Sequence, residues 1–346
     1  MNFARALLIA EAGVNHNGDL EIAKRLIAAS ADAGADAVKF QTFRADEIAS
    51  PQAAAAAYQV RHLHSTGSPP SQRDFLRRLE LDRGAHFALA ECAREKRILF
   101  LSSPFDAESA DLLEEVGVPL FKLGSGELTN IPLLRHVAGK RKPVILSTGM
   151  ATLEEVGMAV AVMRAAGNDE IVLLHCVTQY PAPAAEINLR AMAAMAAAFR
   201  LPVGYSDHSE GNEIAFAAAA FGACCIEKHF TLSREMEGPD HAASAEPREL
   251  QALVEGIRRI ESALGDGIKR PAPCELANRG LVRRSIFAAA EIPAGTFLTP
   301  DFLACRRPGT GIPSERHDDL VGRRTVRRFA AGEMLDWDGL SRELDG

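Results

Sequence analysis

Eight short apolar runs, each rich in Val, Ile or Leu and each ending in polar residues, recur along the first 265 residues with helical segments between them. They are residues 7–13 (LLIAEAG), 37–42 (AVKFQT), 98–105 (ILFLSSPF), 120–127 (LFKLGSGE), 144–150 (VILSTGM), 171–180 (IVLLHCVTQY), 203–209 (VGYSDHS) and 224–230 (CCIEKHF). Continuous apolar character, rather than strict alternation, marks strands covered on both faces. Intervening stretches such as 21–35 and 152–167 have helical spacing, and strand–helix alternation of this kind builds a parallel sheet. Eight such units closing on themselves predict an α/β fold, a (β/α)8 TIM barrel over residues 1–265, with its chemistry at the C-terminal strand ends.

Two segments do not follow the repeat. The stretch from Phe43 to about Arg83, with HSTGSPPSQ inside it, is too long for an ordinary connection and is expected to cover the barrel mouth. After residues 263–275 (ALGDGIKRPAPCE) the helical pattern breaks at Gly and Pro, which predicts a linker over 266–282. Residues 283–346 then alternate short β-rich pieces with turn signals, as a compact, mostly β domain would.

Charge and composition exclude several partners. A net charge of -7 gives no general attraction for nucleic acid or an anionic membrane, so any bound anion must be held by a few placed cations. No window is apolar for the ~20 residues of a membrane span. The N-terminal apolar core is too short for a signal peptide, so the expected location is the cytoplasm. The six cysteines show no CxxC spacing, as structural thiols of a reducing compartment would.

The strand tips carry the chemistry: Glu11; Lys39 and Gln41; Ser102 and Ser103; Lys122, Ser125 and Glu127; Ser147 and Thr148; Thr178 and Tyr180; Ser206, Asp207 and His208; and His229. Each alone reads as a solvated loop residue or a satisfied core group. Together they do not, because charged residues rarely end buried strands without a partner. Two lysines among serine hydroxyls suit a phosphate and a carboxylate, although a Schiff-base lysine stays open. Two histidines beside carboxylates, including Asp207 and the later EGPDHAAS (237–244), favour a divalent metal. His16, in GVNHNGD, is read as a positioning residue.

AEAGVNHNGD, AVKFQTF, FKLGSGE, ILSTGMAT, LLHCVTQYPAP, GYSDHSEG, EKHFT and GPDHAAS together resemble, in order, the motif series of the sialic acid synthases. These enzymes condense phosphoenolpyruvate with an N-acetylated aminosugar. The tail RRSIFAAAEIPAGTFLTPDFLACRRPGTGI resembles their C-terminal antifreeze-like (SAF) domain. The resemblance implies that His208 and His229 bind a divalent metal, Mn2+ with Mg2+ or Co2+ as alternatives, and that Glu11 is the acid/base or aldehyde-orienting carboxylate. It assigns Lys39, Lys122, Ser125, Ser147 and Ser206 to phosphoenolpyruvate and Gln41, Glu127, Tyr180 and Asp240 to the aminosugar, with Ser103 and Thr178 as further substrate-binding residues. Arg307, from the small domain of a partner subunit, would join them in a domain-swapped homodimer.

One departure concerns the sugar. Members that form N-acetylneuraminate commonly carry Thr-Asn before the xYP motif, where this chain has Val177-Thr178 followed by Gln179. Similar replacements accompany legionaminic acid synthesis, so an N-acetylmannosamine-type sugar and 2,4-diacetamido-2,4,6-trideoxymannose are both open. A Schiff-base lyase on the same barrel is the more distant enzyme reading. An ice-binding module on an inert scaffold is the non-enzymatic one, and it leaves the eight polar tips without a purpose.

Overall fold

The computed structural model describes residues 5–50 and 71–341. The chain divides into two compact units, residues 1–265 and 266–346.

The first unit is built on eight parallel strands: β1 (Leu7–Gly13), β2 (Ala37–Thr42), β3 (Leu99–Pro104), β4 (Phe121–Leu123), β5 (Val144–Ser147), β6 (Ile171–His175), β7 (Val203–Asp207) and β8 (Cys225–His229). Their order is 3-2-1-8-7-6-5-4, and β3 lies beside β4, so the sheet closes into the expected barrel. The predicted tips of β4, β5 and β6 overran the pairing. Gly124 and Gly149 end the first two ladders early, and Ser125–Glu127 form a 3-10 turn.

Successive side chains on a strand point to opposite faces, and here the alternation sorts two kinds of core. Leu8, Ala10, Val38, Phe40, Phe121, Leu146, Leu173 and Tyr205 face outward and join the cluster packed against the helices. Ile9, Ala37, Leu101, Leu120, Ile145, Val172 and Cys225 face inward and fill the barrel with an apolar plug. One step further along every strand but β6, whose Leu174 extends the plug, the same inward parity is occupied by Glu11, Lys39, Ser103, Lys122, Ser147, Ser206 and Glu227, all nearly buried. The barrel interior is therefore apolar below and charged above.

The helices begin where the sequence supplies caps. Asp19, Asp82, Asp106 and Asn130 each accept backbone N–H groups of the first turns that follow, and Thr152 with Glu155 forms a capping box. Of the long 43–83 stretch, Phe43, Phe75 and Leu79 pack with Val14 into a separate apolar cluster, joined by Ile48, Leu76 and Phe105. Residues 51–70, which hold most of HSTGSPPSQ, lie outside the described residues.

The second unit has its own core, from Ile286 and Ile292 through Phe329 to Leu340. Among the described residues its one regular sheet is an antiparallel pair, β9 (Ser285–Ala288) with β10 (Leu303–Arg306). The segment expected to be a linker groups with this unit and includes a helix, Leu276–Val282, whose Leu276, Leu281 and Val282 are exposed.

Gly204 tests the barrel's interior packing. It stands at an inward position of β7, where a Cβ would lie 2.4 Å from the Cys225 carbonyl oxygen and 2.6 Å from Leu174 Cδ2. Neither the backbone of β8 nor the plug can retreat, so Gly204→Ala is expected to cost about 1–3 kcal/mol of stability. Urea unfolding monitored by circular dichroism measures it; an unchanged midpoint would show that β7 and β8 can part at no cost.

Candidate active site

A cavity of about 260 Å³ opens above the charged layer. It is lined by Glu11, Lys39, Gln41, Ser103, Lys122, Ser125, Ser147, Thr178, Tyr180, Ser206, His208, His229 and Asp240, with Glu227 and Cys176 among them and Phe43, Phe75 and Leu79 on its wall. Of the residues that the family resemblance assigns to the site, Glu127 and Arg307 are not on this wall. Glu127 turns aside on the 3-10 turn, where it accepts a hydrogen bond from the Asn130 side chain at 2.7 Å. Arg307 belongs to the second unit, where it is exposed and precedes a cis peptide bond to Pro308.

Pairing register explains the convergence. Glu11 stands level with Lys39 on one side and with His229 on the other. Gln41 is level with Ser103, and Ser206 with Glu227. Residues spread over more than 200 positions of sequence thus meet on one floor.

The floor is an ion cluster. Lys39 Nζ lies 2.5 Å from Glu11 Oε2 and donates to Ser103 Oγ at 3.0 Å. Lys122 Nζ donates to Ser147 Oγ at 2.7 Å and to the Leu123 carbonyl at 3.2 Å. Between the two lysines stands Glu227, 3.5 Å from Lys122 and 3.8 Å from Lys39, accepting from Ser206 Oγ at 3.0 Å.

Burial dominates the titration of this cluster and its partners decide the sign. For Glu11, desolvation outweighs the Lys39 contact and the Glu227 charge adds to it, so its carboxyl is raised to about 7. Burial also raises Glu227, but Lys122 and Lys39 together hold it down at about 2. Burial pushes the Lys39 ammonium down, yet Glu11 and Glu227 keep it above its ordinary value. Asp240 is raised to about 6 by burial, with Lys39 opposing. A carboxyl poised near neutrality beside an ammonium can pass a proton in either direction.

The two histidines stay neutral. Burial lowers both, and His208 pushes His229 lower still. His208 Nδ1 donates to the Val177 carbonyl at 2.7 Å, which fixes the tautomer and leaves Nε2 with its lone pair beside Ser206 Oγ, 3.4 Å away. The imidazole centroids are 5.5 Å apart, with the Tyr180 ring 4.3 Å from one and 5.4 Å from the other. His229 Nδ1 is buried without a hydrogen-bond partner. An oriented neutral imidazole and an orphaned ring nitrogen fit the donor set of a divalent metal. Among the described residues no group of three or more His, Cys, Asp or Glu is placed to enclose an ion, so further ligands would come from water or substrate.

Asp207, expected to join the histidines in holding a divalent metal, does not line the cavity. Odd parity on β7 points it away from the cavity, where it accepts from Lys228 Nζ at 2.6 Å and from Ser209 Oγ at 2.6 Å. His241 likewise turns away, its Nδ1 2.6 Å from Thr231 Oγ1. His16 is fully buried outside the cavity and accepts from the Gly18 N–H at 2.9 Å, a positioning contact within the turn.

Glycine creates part of the cradle. A Cβ at Gly149 would lie 2.2 Å from Thr178 Oγ1 and 2.8 Å from Ser125 Oγ. Its absence lets the Gly149 N–H reach Ser125 Oγ at 2.9 Å, which orients that hydroxyl toward the cavity.

A barrel with this floor, followed by this second unit, defines a two-part synthase architecture, and comparison with known proteins places it. The NeuB family model matches residues 26–269 and the SAF domain model residues 283–341. The chain belongs to the NeuB family. It is 47% identical to N,N'-diacetyllegionaminic acid synthase of Campylobacter jejuni over 96% of this chain and 99% of that one. With the enzyme of the same name from Legionella pneumophila it shares 44% identity over 96% and 93%. Among solved structures it is similar to the N-acetylneuraminic acid synthetase of Leptospira borgpetersenii, with a TM-score of 0.70 and 37% identity over 79% of this chain and 90% of that one.

Lys228→Met should separate scaffold from chemistry. It strands the buried Asp207 charge and is expected to cost about 3–5 kcal/mol in chemical denaturation. An unchanged midpoint would show that Asp207 does not depend on Lys228 and would return it to the cavity.

Proposed function

We propose that this chain is a nonulosonate synthase that joins phosphoenolpyruvate to an N-acetylmannosamine-type aminosugar and water, giving a nine-carbon 2-keto acid and phosphate. The observation that carries the reading is the floor itself: two buried ammonium groups among serine hydroxyls beside two neutral imidazoles. The first suits a phosphate and carboxylate, the second a metal.

In this reading Lys39 and Lys122, with Ser103, Ser125, Ser147 and Ser206, hold phosphoenolpyruvate. His208 and His229 would hold a divalent ion, Mn2+ or in its place Mg2+ or Co2+. When bound, such an ion supplies a Lewis acid for the aldehyde oxygen of the open-chain sugar. Gln41, Thr178, Tyr180 and Asp240 orient the sugar, with Glu127 a contact of the outer rim. C3 of the enol phosphate adds to the aldehyde carbon, and Glu11, near neutrality, delivers a proton to the new hydroxyl oxygen. Water adds to the cationic C2 and loses a proton. The resulting hemiketal phosphate collapses to the keto acid, breaking its C–O bond, and the lysines stabilise the departing phosphate.

The Thr178 side chain and the names of the two bacterial relatives favour 2,4-diacetamido-2,4,6-trideoxymannose over N-acetylmannosamine as the sugar. Soluble substrates and the absence of any helix among the described residues long and apolar enough to cross a membrane support a cytoplasmic enzyme. In a homodimer with exchanged small domains, Arg307 would complete the partner's site.

Phosphate release is to be followed with phosphoenolpyruvate and each of the two sugars. Turnover should disappear in EDTA and return with Mn2+, and kcat/KM should favour the diacetamido sugar by more than about tenfold, or roughly 1.4 kcal/mol. His208→Ala and His229→Ala should each lose bound metal by mass spectrometry and at least about 100-fold in turnover. Activity that survives EDTA, with a pyruvyl-lysine trapped by borohydride, would make it a lyase instead.

Subunit exchange tests Arg307. Glu11→Ala and Arg307→Ala proteins, each inactive, are mixed in equal amounts; swapped heterodimers regain one site of two, so activity should recover to roughly a quarter of wild type. If it stays at the sum of the two variants after exchange is verified by mass-tagged chains, Arg307 serves its own barrel or none.

A further inference from the structure

Glu227 has no place in the chemistry above, and its surroundings say what it does. It is 5% exposed at an inward position of β8 and lines the cavity from below. Its Oε1 is fixed by Ser206 at 3.0 Å and faces Lys122 at 3.5 Å. Its Oε2 faces Lys39 at 3.8 Å and has no hydrogen-bond partner. Among the described residues, Glu227 is the carboxylate within ion-pair reach of both floor lysines, and the one such contact that Lys122 makes.

Two ammonium groups facing one small buried space repel each other and are costly to desolvate without an anion. Glu11 answers Lys39 at 2.5 Å, but among the described residues the carboxylate paired with Lys122 is Glu227, and phosphoenolpyruvate would supply an anion only when it is bound. We propose that Glu227 is the internal counter-ion of the lysine pair, a positioning residue that holds Lys39 and Lys122 toward the place the substrate's anionic groups will take. This rests on the reading that the two lysines bind phosphoenolpyruvate.

A counter-ion also competes. Its charge stays beneath the bound substrate and repels it, so the floor holds an arriving anion less tightly than a bare lysine pair would. Weakly bound anions such as inorganic phosphate are then released more readily, which suits a site that must discharge phosphate after every turnover. The charge of Glu227 therefore lowers affinity while preserving geometry. A purely structural carboxylate would do the opposite, since removing it would loosen the lysines and weaken binding.

Titration calorimetry on the full-length protein, with phosphoenolpyruvate and separately with inorganic phosphate, distinguishes the two. Glu227→Gln keeps the shape and the Ser206 contact but removes the charge, and should bind both anions at least about fivefold tighter than wild type. Glu227→Asp keeps the charge and should stay within about twofold of wild type. Equal or weaker binding by a folded Glu227→Gln overturns the proposal. Should that variant fail to fold, Lys122→Met is compared with the double variant Lys122→Met/Glu227→Gln. A counter-ion stranded by loss of its lysine makes the single variant the less stable of the two in thermal unfolding; the reverse order overturns the proposal. Wild-type protein that binds neither anion sinks the phosphoenolpyruvate reading instead, and the stability comparison still decides the role of Glu227.

Discussion

Lys39, Lys122, Glu11 and Glu227 form an ion cluster inside a closed barrel, all four nearly inaccessible to solvent. Removing any one charge leaves another buried and uncompensated, at a cost of several kcal/mol, so the four are mutually dependent. Such a cluster is poor evidence of stability, because apolar side chains would fill the same space more cheaply. Its presence is better explained by what the cavity above it must bind.

The surrounding structure keeps the cluster in register. Below it the inward plug of Ile9, Leu101, Leu120, Ile145 and Val172 excludes water from the barrel axis. Around it each strand fixes its residue by pairing, Glu11 to Lys39 and His229, Ser206 to Glu227. Low polarity strengthens every contact within the layer and also pushes Glu11 up to about 7. The burial that makes the cluster expensive is thus what brings one of its carboxyls to the range where an acid or a base can act.

The barrel and most of the floor were legible because both follow from strand parity and strand ends. All eight apolar runs became strands, and most of the residues picked from their tips line one cavity. What was missed follows from reading tips alone. Glu227 lies two residues before His229 and shares its inward parity, so counting in twos back from the histidine would have found it. The same count moves Asp207 out, since Ser206 and His208 occupy the inward positions on either side of it. Glu127 stands off the cavity wall for a different reason: the 3-10 turn Ser125–Glu127, with glycines at 124 and 126, takes the chain out of the strand before its side chain is reached. The apolar wall from Phe43, Phe75 and Leu79 carries no motif, because packing of a long connection against the mouth depends on tertiary contacts.

Going round the barrel, the floor is divided by function. Lysines and hydroxyls that suit an anion come from β2 to β5, as Lys39, Ser103, Lys122 and Ser147, while the neutral imidazoles follow β7 and end β8. The reaction proposed above would bring an electrophile and an anionic nucleophile together here, and a metal ion among bare ammonium groups would be repelled by them. Glu227 stands on β8 under the histidines and reaches both lysines, so the negative charge lies between the cationic sector and the imidazole sector. Neutral ring nitrogens, one of them held by the Val177 carbonyl, add no further positive charge to the imidazole sector. With Glu11 answering Lys39 and Glu227 within reach of both lysines, one closed sheet holds two buried ammonium groups and two neutral imidazoles around the same cavity, a combination that either set of charges would make costly alone.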